Sequence, residues 1–371
     1  MLDEPWVSLM SCQSACIDTR LFPADYATAR QRWLMALRAV DADHQVYPCE
    51  GRGPKCEALY TDVAWLGAKN AQALVVIIAG THGIEGFAGS AVQIDCLQRW
   101  SFADGCLPDD NTACLLIHAL TPWGYAWHRR CDADGVDLNR NCVDFSKPLP
   151  DNADYERLRP LLLDGDAALR RQAFHDFAER HGRVAFETAI SGGQYHDPCG
   201  PFYGGHASAH GRRVCEALIA GYQLAHRRLA VIDLHTGLGP YGHGEIICDH
   251  APGSTGALTA QRWYGDAVTL PLAGTSSSVP KLGLLDYLWH AVMDDHSCYV
   301  TLEFGSYGTE PLFDVLLDDH RFWAGQAGHQ ELERQGRAMC RHFCPDDAVW
   351  RELVLFRSRQ VIAQALAGVG A

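Results

Sequence analysis

Five short runs of apolar, largely β-branched residues constrain this chain more than any other feature: "ALVVIIAG" (Ala73–Gly80), "ACLLIHAL" (Ala113–Leu120), "LAVIDLHTG" (Leu229–Gly237), "EIICDH" (Glu245–His250) and "CYVTLEFGS" (Cys298–Ser306). Each is almost continuously hydrophobic instead of alternating, the pattern of strands covered on both faces. Helical periodicity separates them. "DYATARQRWLMALRAV" (Asp25–Val40) places Trp33, Leu34, Leu37 and Val40 on one stripe behind an Asp suited to cap it. Phe87–Trp100, Ser208–His226 and Gly283–Met293 read the same way. Strands alternating with helices predict an α/β fold with a mostly parallel central mixed sheet and helices on both faces. Residues 151–190 read as a helical insertion, and the region after Glu310 reads as helical throughout. There is no repeat, linker or low-complexity tract, so one domain over 1–371 is expected.

Composition narrows the function classes. The formal net charge is -14, with no basic stripe, which argues against a nucleic-acid surface. The N-terminal "MLDEPWVSLMSCQSACIDTR" lacks the basic and apolar regions of a secretory signal, and no apolar run reaches the length of a membrane span. A soluble, cytoplasmic protein without a membrane partner is expected, and a homo-oligomer is compatible with the sequence. The 15 cysteines include no CxxC pair, and "CRHFC" (Cys340–Cys344) reads as one turn of an amphipathic helix, so reduced, mostly buried thiols are expected.

Ligands of α/β sheets bind beyond the carboxyl ends of the strands. Three strand ends here finish in metal-ligand or acid–base side chains. "AGTHGIEG" offers His82 and Glu85, "VIDLHTGLG" offers His235, and "VTLEFGS" offers Glu303. Two histidines and a carboxylate, with a fourth position open, suit a catalytic zinc ion, and a further carboxylate can serve as general base. Manganese or cobalt is compatible with the same donors. Each motif alone is weak, because short patterns recur by chance; their shared placement after a strong strand gives them weight. A fourth segment, "RRCDADGVDLNRN" (Arg129–Asn141), sets three arginines and two asparagines around an Asp-Gly turn. Arginine forks bind carboxylates in bidentate fashion.

Taken together, His82–Glu85, Arg130–Arg140, His235 and Glu303 resemble the zinc carboxypeptidase A-like metallopeptidases. The likeness is to a little-characterised bacterial domain-of-unknown-function branch, related to the succinylglutamate desuccinylase and aspartoacylase group. It spans Ala73 to about Ser306 and takes in "PWGYAWHRR" and "GQYHDPCGPFYGG". The resemblance implies one zinc ion per chain, held by His82, Glu85 and His235. It further implies that Glu303 moves the proton from attacking water to leaving amine, that Arg130 stabilises the oxyanion, and that Asn139 and Arg140 clamp a free substrate carboxylate. Arg129 is an alternative to Arg130. The family's substrate-contacting tyrosine has no counterpart in Ser276–Asp286; Tyr287 is nearest, and Tyr203 and Tyr241 are the other candidates.

The expected activity is therefore hydrolysis of an amide bond in a small peptide or N-acyl amino acid with a free carboxylate. Carboxypeptidase-type cleavage leads, deacylation of N-acyl amino acids is the alternative, and a non-catalytic binding protein of the same fold stands further back. A serine hydrolase is excluded, because the chain has no G-x-S-x-G.

Overall fold

A computed structural model describes residues 17–40, 42–102, 111–325 and 327–371. The five apolar runs become strands β3 (Ala73–Ala79), β4 (Thr112–His118), β5 (Arg228–Gly237), β6 (Gly244–Ile247) and β8 (Cys298–Gly305). Three strands were not foreseen: β1 (Ala42–Arg52), β2 (Ala58–Leu66) and the two-residue β7 (Val268–Thr269). β1 escapes an apolar search because it is a half-exposed edge strand that mixes polar and apolar residues on both faces. Pro48 is tolerated there, since an edge strand need not donate every N–H.

The strands form one sheet in the order β1-β2-β4-β3-β5-β8-β6-β7. The central four, β4, β3, β5 and β8, run parallel, while β2 and β6 pair antiparallel at their flanks. Alternation along these strands feeds two apolar layers. Val75, Ile77, Ala230, Ile232, Val300 and Leu302 face one, together with Trp33, Leu97 and Trp350. Leu74, Val76, Ile78, Leu229, Val231 and Tyr299 face the other, with Val214, Leu218 and Trp289. Helices therefore cover both faces, as the continuous hydrophobicity requires.

Helix α1 (Tyr26–Leu37) starts where expected, with the Asp25 carboxylate accepting from the Thr28 N–H at 2.8 Å. α2 (Gly86–Phe102) leaves the His82–Glu85 turn directly, and α3 (Pro122–Ala126) follows β4. The helical insertion comprises α4 (Ala153–Leu162), α5 (Ala167–His181) and α6 (Arg183–Ser191). Next come α7 (His210–Gly221), α8 (Thr255–Tyr264) and α9 (Asp286–His290), then α10 (Thr309–Ala324), α11 (His329–Phe343) and α12 (Ala348–Gly370). The helix expected over Gly283–Met293 shortens to α9; at its start Gly283 adopts φ +68°, outside the helical region. A third apolar cluster, including Phe174, Phe177, Phe202, Phe313 and Phe343, joins α3, the insertion, α10 and α11 beside the carboxyl ends of the strands. The twelve cysteines among the described residues are all free thiols. Among those residues no helix is long and apolar enough to cross a membrane.

Candidate active site

The sheet face that buries Val231 and Tyr299 turns polar toward its carboxyl edge. Along β5 the residues on that face run Leu229, Val231, Asp233, His235; along β8 they run Tyr299, Thr301, Glu303. Parallel register sets His235 beside Glu303 and Asp233 beside Thr301. On the next strand β3 ends at Ala79, and a short turn brings His82 and Glu85 back over the same edge. The glycines of that turn serve packing: a Cβ on Gly83 would collide with the Gly124–Tyr125 backbone, and one on Gly86 with the Tyr125 ring.

His82, Glu85 and His235 are buried and converge, with one ligand atom from each lying within 4.8 Å of the others. His82 Nδ1 is 2.9 Å from Glu85 Oε1, and His235 Nδ1 is 3.0 Å from Glu85 Oε2. The far nitrogens are braced. His82 Nε2 lies 3.1 Å from Asp137 Oδ1, and His235 Nε2 lies 2.7 Å from Asp233 Oδ2. Asp233 is fixed in turn by the Thr81 and Tyr299 hydroxyls, each donating at 2.8 Å. The two Nδ1 atoms lie 3.1 Å apart and beside the Glu85 carboxylate, while Arg130 Nη2 approaches His82 Nε2 at 2.6 Å. Two ring nitrogens and a carboxylate converging on one point make a ligand set for a cation. The donor set and its carboxylate bracing thus fit a divalent metal, with imidazole and carboxylate suiting zinc.

Glu303 is buried at the rim of this cluster and accepts from the Leu238 N–H at 3.0 Å. Burial, and after it the charge of Glu85, push its pKa up to about 7, in the range of a general base near neutrality. Arg130 bridges the two carboxylates, with Nε 3.0 Å from Asp137 Oδ2 and Nη1 3.2 Å from Glu85 Oε1. Arg140 is fully buried. Its Nε and Nη2 donate to Ser191 O at 3.0 and 2.7 Å, and Nη1 donates to Asn139 O at 2.6 Å. That commits three of the five guanidinium N–H groups and leaves two for a ligand.

His82, Glu85, Arg130, Asn139, Arg140, His235 and Glu303 all line one chamber of about 90 Å³. It shares Glu187, Ser277, Ser278, Val279 and Thr309 with a more open space of about 430 Å³. The sequence candidates Arg129, Tyr203 and Tyr241 lie outside the chamber. Arg129 is buried elsewhere, its Nε donating to Asp319 at 2.8 Å and its guanidinium stacked on Trp323. Tyr203 bridges its backbone to Val136 and Gln194, and its hydroxyl lies 3.3 Å from His206. Tyr241 is exposed and donates to Asp347 at 2.8 Å. Reading the sequence missed the bracing carboxylates Asp137 and Asp233, and the chamber residues Asp249 and Lys281. Asp233 had a usable signal, since two residues before His235 on a strand means the same face.

Comparison with solved structures finds similarity at low identity. Bovine thrombin-activatable fibrinolysis inhibitor, in complex with tick carboxypeptidase inhibitor, is 12% identical, covering 93% of this chain and 97% of its own at a TM-score of 0.46. Carboxypeptidase A from Helicoverpa armigera is 13% identical over 92% and 82%, also at a TM-score of 0.46. The murein-tripeptide amidase MpaA from Escherichia coli O157 is 18% identical over 83% and 95%, at 0.38. No curated protein matches the sequence. A family model described as "Protein of unknown function (DUF2817)" matches residues 22–357, from the segment before α1 to α12 and across every site residue above. The chain belongs to that family.

Proposed function

We propose that the protein is a zinc-dependent hydrolase of amide bonds in small peptides or N-acyl amino acids that carry a free carboxylate. The carrying observation is the convergence of two imidazole Nδ1 atoms and the Glu85 carboxylate, braced by Asp137 and Asp233, with Glu303 one strand away in the same chamber. His82, Glu85 and His235 would hold the ion. A divalent cation held there would supply positive charge that acidifies water and polarises a carbonyl.

The remaining work falls to the chain's own residues. Glu303, raised toward neutrality, takes the proton of the attacking water and returns it to the departing amine. Arg130 offers a cation fixed by two carboxylates, so it faces the developing oxyanion without reorganising. Arg140, with two uncommitted N–H groups, and Asn139 hold the free carboxylate at the chamber's other end. Phe202, Phe313 and Phe343 give the chamber an apolar wall.

Carboxypeptidase-type cleavage and deacylation of N-acyl amino acids make the same demand on these residues, so a substrate panel separates them. Zinc-loaded protein is incubated with dipeptides, tripeptides and N-acyl amino acids, and products are identified by mass spectrometry. Release of a C-terminal residue from peptides supports the first; hydrolysis of acyl amino acids alone supports the second. Glu303→Gln is expected to lower kcat by about 10²–10⁴-fold, the range of a lost acid–base group. Absence of turnover with zinc, manganese and cobalt across the whole panel would sink the proposal.

A further inference from the structure

The loop 276–285 enters the chamber from outside the strand-end motifs, and it is pinned at both ends. At its start, Glu245, the neighbour of Glu303 across β6 and β8, accepts from the Ser276 hydroxyl at 2.8 Å, the Ser277 N–H at 3.0 Å and the Ser277 hydroxyl. At its end, the Leu285 N–H donates to Asn139 Oδ1 at 2.7 Å, and the Gly283 carbonyl accepts from the Cys142 N–H at 3.0 Å. Gly283 lies so close that a Cβ would collide with the Arg140 carbonyl oxygen. The Leu282 N–H donates to Gly192 O at 3.0 Å, one residue beyond the Ser191 carbonyl that orients Arg140. One turn thus fixes both this loop and the Arg140 guanidinium.

Between those anchors sits Lys281, half-buried and lining the chamber with Arg140. Its Nζ donates to the Val279 carbonyl at 3.0 Å and to the Ser278 hydroxyl, which leaves one of its three N–H groups uncommitted. It forms no ion pair within 4 Å among the described residues, although the Asp249 carboxylate lines the same chamber. Arg140 and Lys281 bring two cations to one chamber whose resident carboxylates Asp249 and Glu303 make no ion pair with either, so an entering carboxylate would find both open to it. Burial, and after it Arg140, lower the Lys281 pKa to about 8, in keeping with a charge short of a partner. Arg140 is likewise drawn down to about 10, chiefly by burial.

We infer that Lys281 is a substrate-binding residue that, with Arg140, grips the free carboxylate of the substrate from the loop side of the chamber. The inference rests on the proposed hydrolase site for its substrate class. The open N–H groups of Arg140 and the third N–H of Lys281 give three donors to the two oxygens of one carboxylate. Asp249 then offsets part of the combined charge, so a single carboxylate suits the chamber.

The test uses metal-loaded full-length protein and the probes N-acetyl-L-alanine and its amide, with binding followed by calorimetry. Wild type is expected to bind the acid at least about tenfold more tightly than the amide. Lys281→Met removes most of that preference by weakening acid binding and leaving amide binding unchanged, whereas Lys281→Arg keeps it. Where substrates are turned over, Lys281→Met raises KM for acids and leaves kcat within a few-fold. Raising pH through about 8 shrinks the preference, since Lys281 discharges while Arg140 and Arg130 stay charged and Asp249 and Glu303 add no cation. A preference undiminished in Lys281→Met, with its thermal melt unchanged, overturns the inference. So does an equal loss for acid and amide in both Lys281→Met and Lys281→Gln. Turnover with an undiminished preference would reject Lys281 and keep the hydrolase; Lys281-dependent acid binding without turnover would do the reverse.

Discussion

The two ends of the chamber are built on different terms. At the His82–Glu85–His235 end the side chains meet polar partners: His82 and His235 face Glu85, Asp137 faces Arg130, and Asp233 faces His235. The contacts of His82, Glu85, His235 and Asp233 arise from strand register and one turn, while Arg130 and Asp137 reach them from the loop after α3. At the other end, Arg140 and Lys281 are fed by loops, held by backbone carbonyls, and left without an ion pair within 4 Å among the described residues. Under the proposed function, the difference teaches that the chemistry can be prepared before substrate arrives, while recognition keeps charge in reserve for it. Paired charges pre-organise, and unpaired ones select.

Breaking the prepared end should cost most. His235→Ala is expected to remove metal binding outright, with a drop in zinc affinity exceeding the roughly 10- to 100-fold produced by losing a bracing partner. Competition against a chelator, with elemental analysis of the purified variant, reads it directly. Unchanged zinc content would show that the ion sits elsewhere. Asp233→Asn sharpens the contrast by one step. It keeps every ligand atom but weakens the brace on His235 Nε2, so zinc affinity should fall about 10- to 100-fold with the fold intact. An affinity equal to wild type would mean that the Thr81–Asp233–Tyr299 network is purely structural. The smallest effect is expected outside the chamber: Tyr241→Phe loses a surface hydrogen bond to Asp347 and should alter stability by within about 0.5 kcal/mol, with kcat and KM unchanged. A tenfold rise in KM would place Tyr241 back among the substrate contacts.

The same contrast explains what the sequence made legible. β3, β5 and β8 announce themselves by β-branched apolar runs, and His82, Glu85, His235 and Glu303 lie where those runs stop. Strand register then fixes their convergence, so local pattern sufficed. β1 was invisible because an exposed edge strand has no apolar run to show, and β7 is too short to carry a pattern. Spacing to the Asp137–Asn141 segment favours Arg130 over Arg129, and the fold separates the two: Asp319, nearly 200 positions away, captures Arg129. Lys281 carried no signal either. Its place depends on contacts from Glu245, Asn139 and Gly192, three segments that no local reading connects.

The Ser191–Gly192 turn closes the helical insertion, and its two successive carbonyls hold Arg140 and the Lys281 loop. The insertion is therefore the ruler against which the spacing of the two cations is set. Lengthening or shortening α6 would shift both grips in concert and leave the sheet-borne residues in place. If the proposed hydrolase function holds, redesigning which acids the protein accepts becomes a problem of moving one helix, with the strand-end residues held constant.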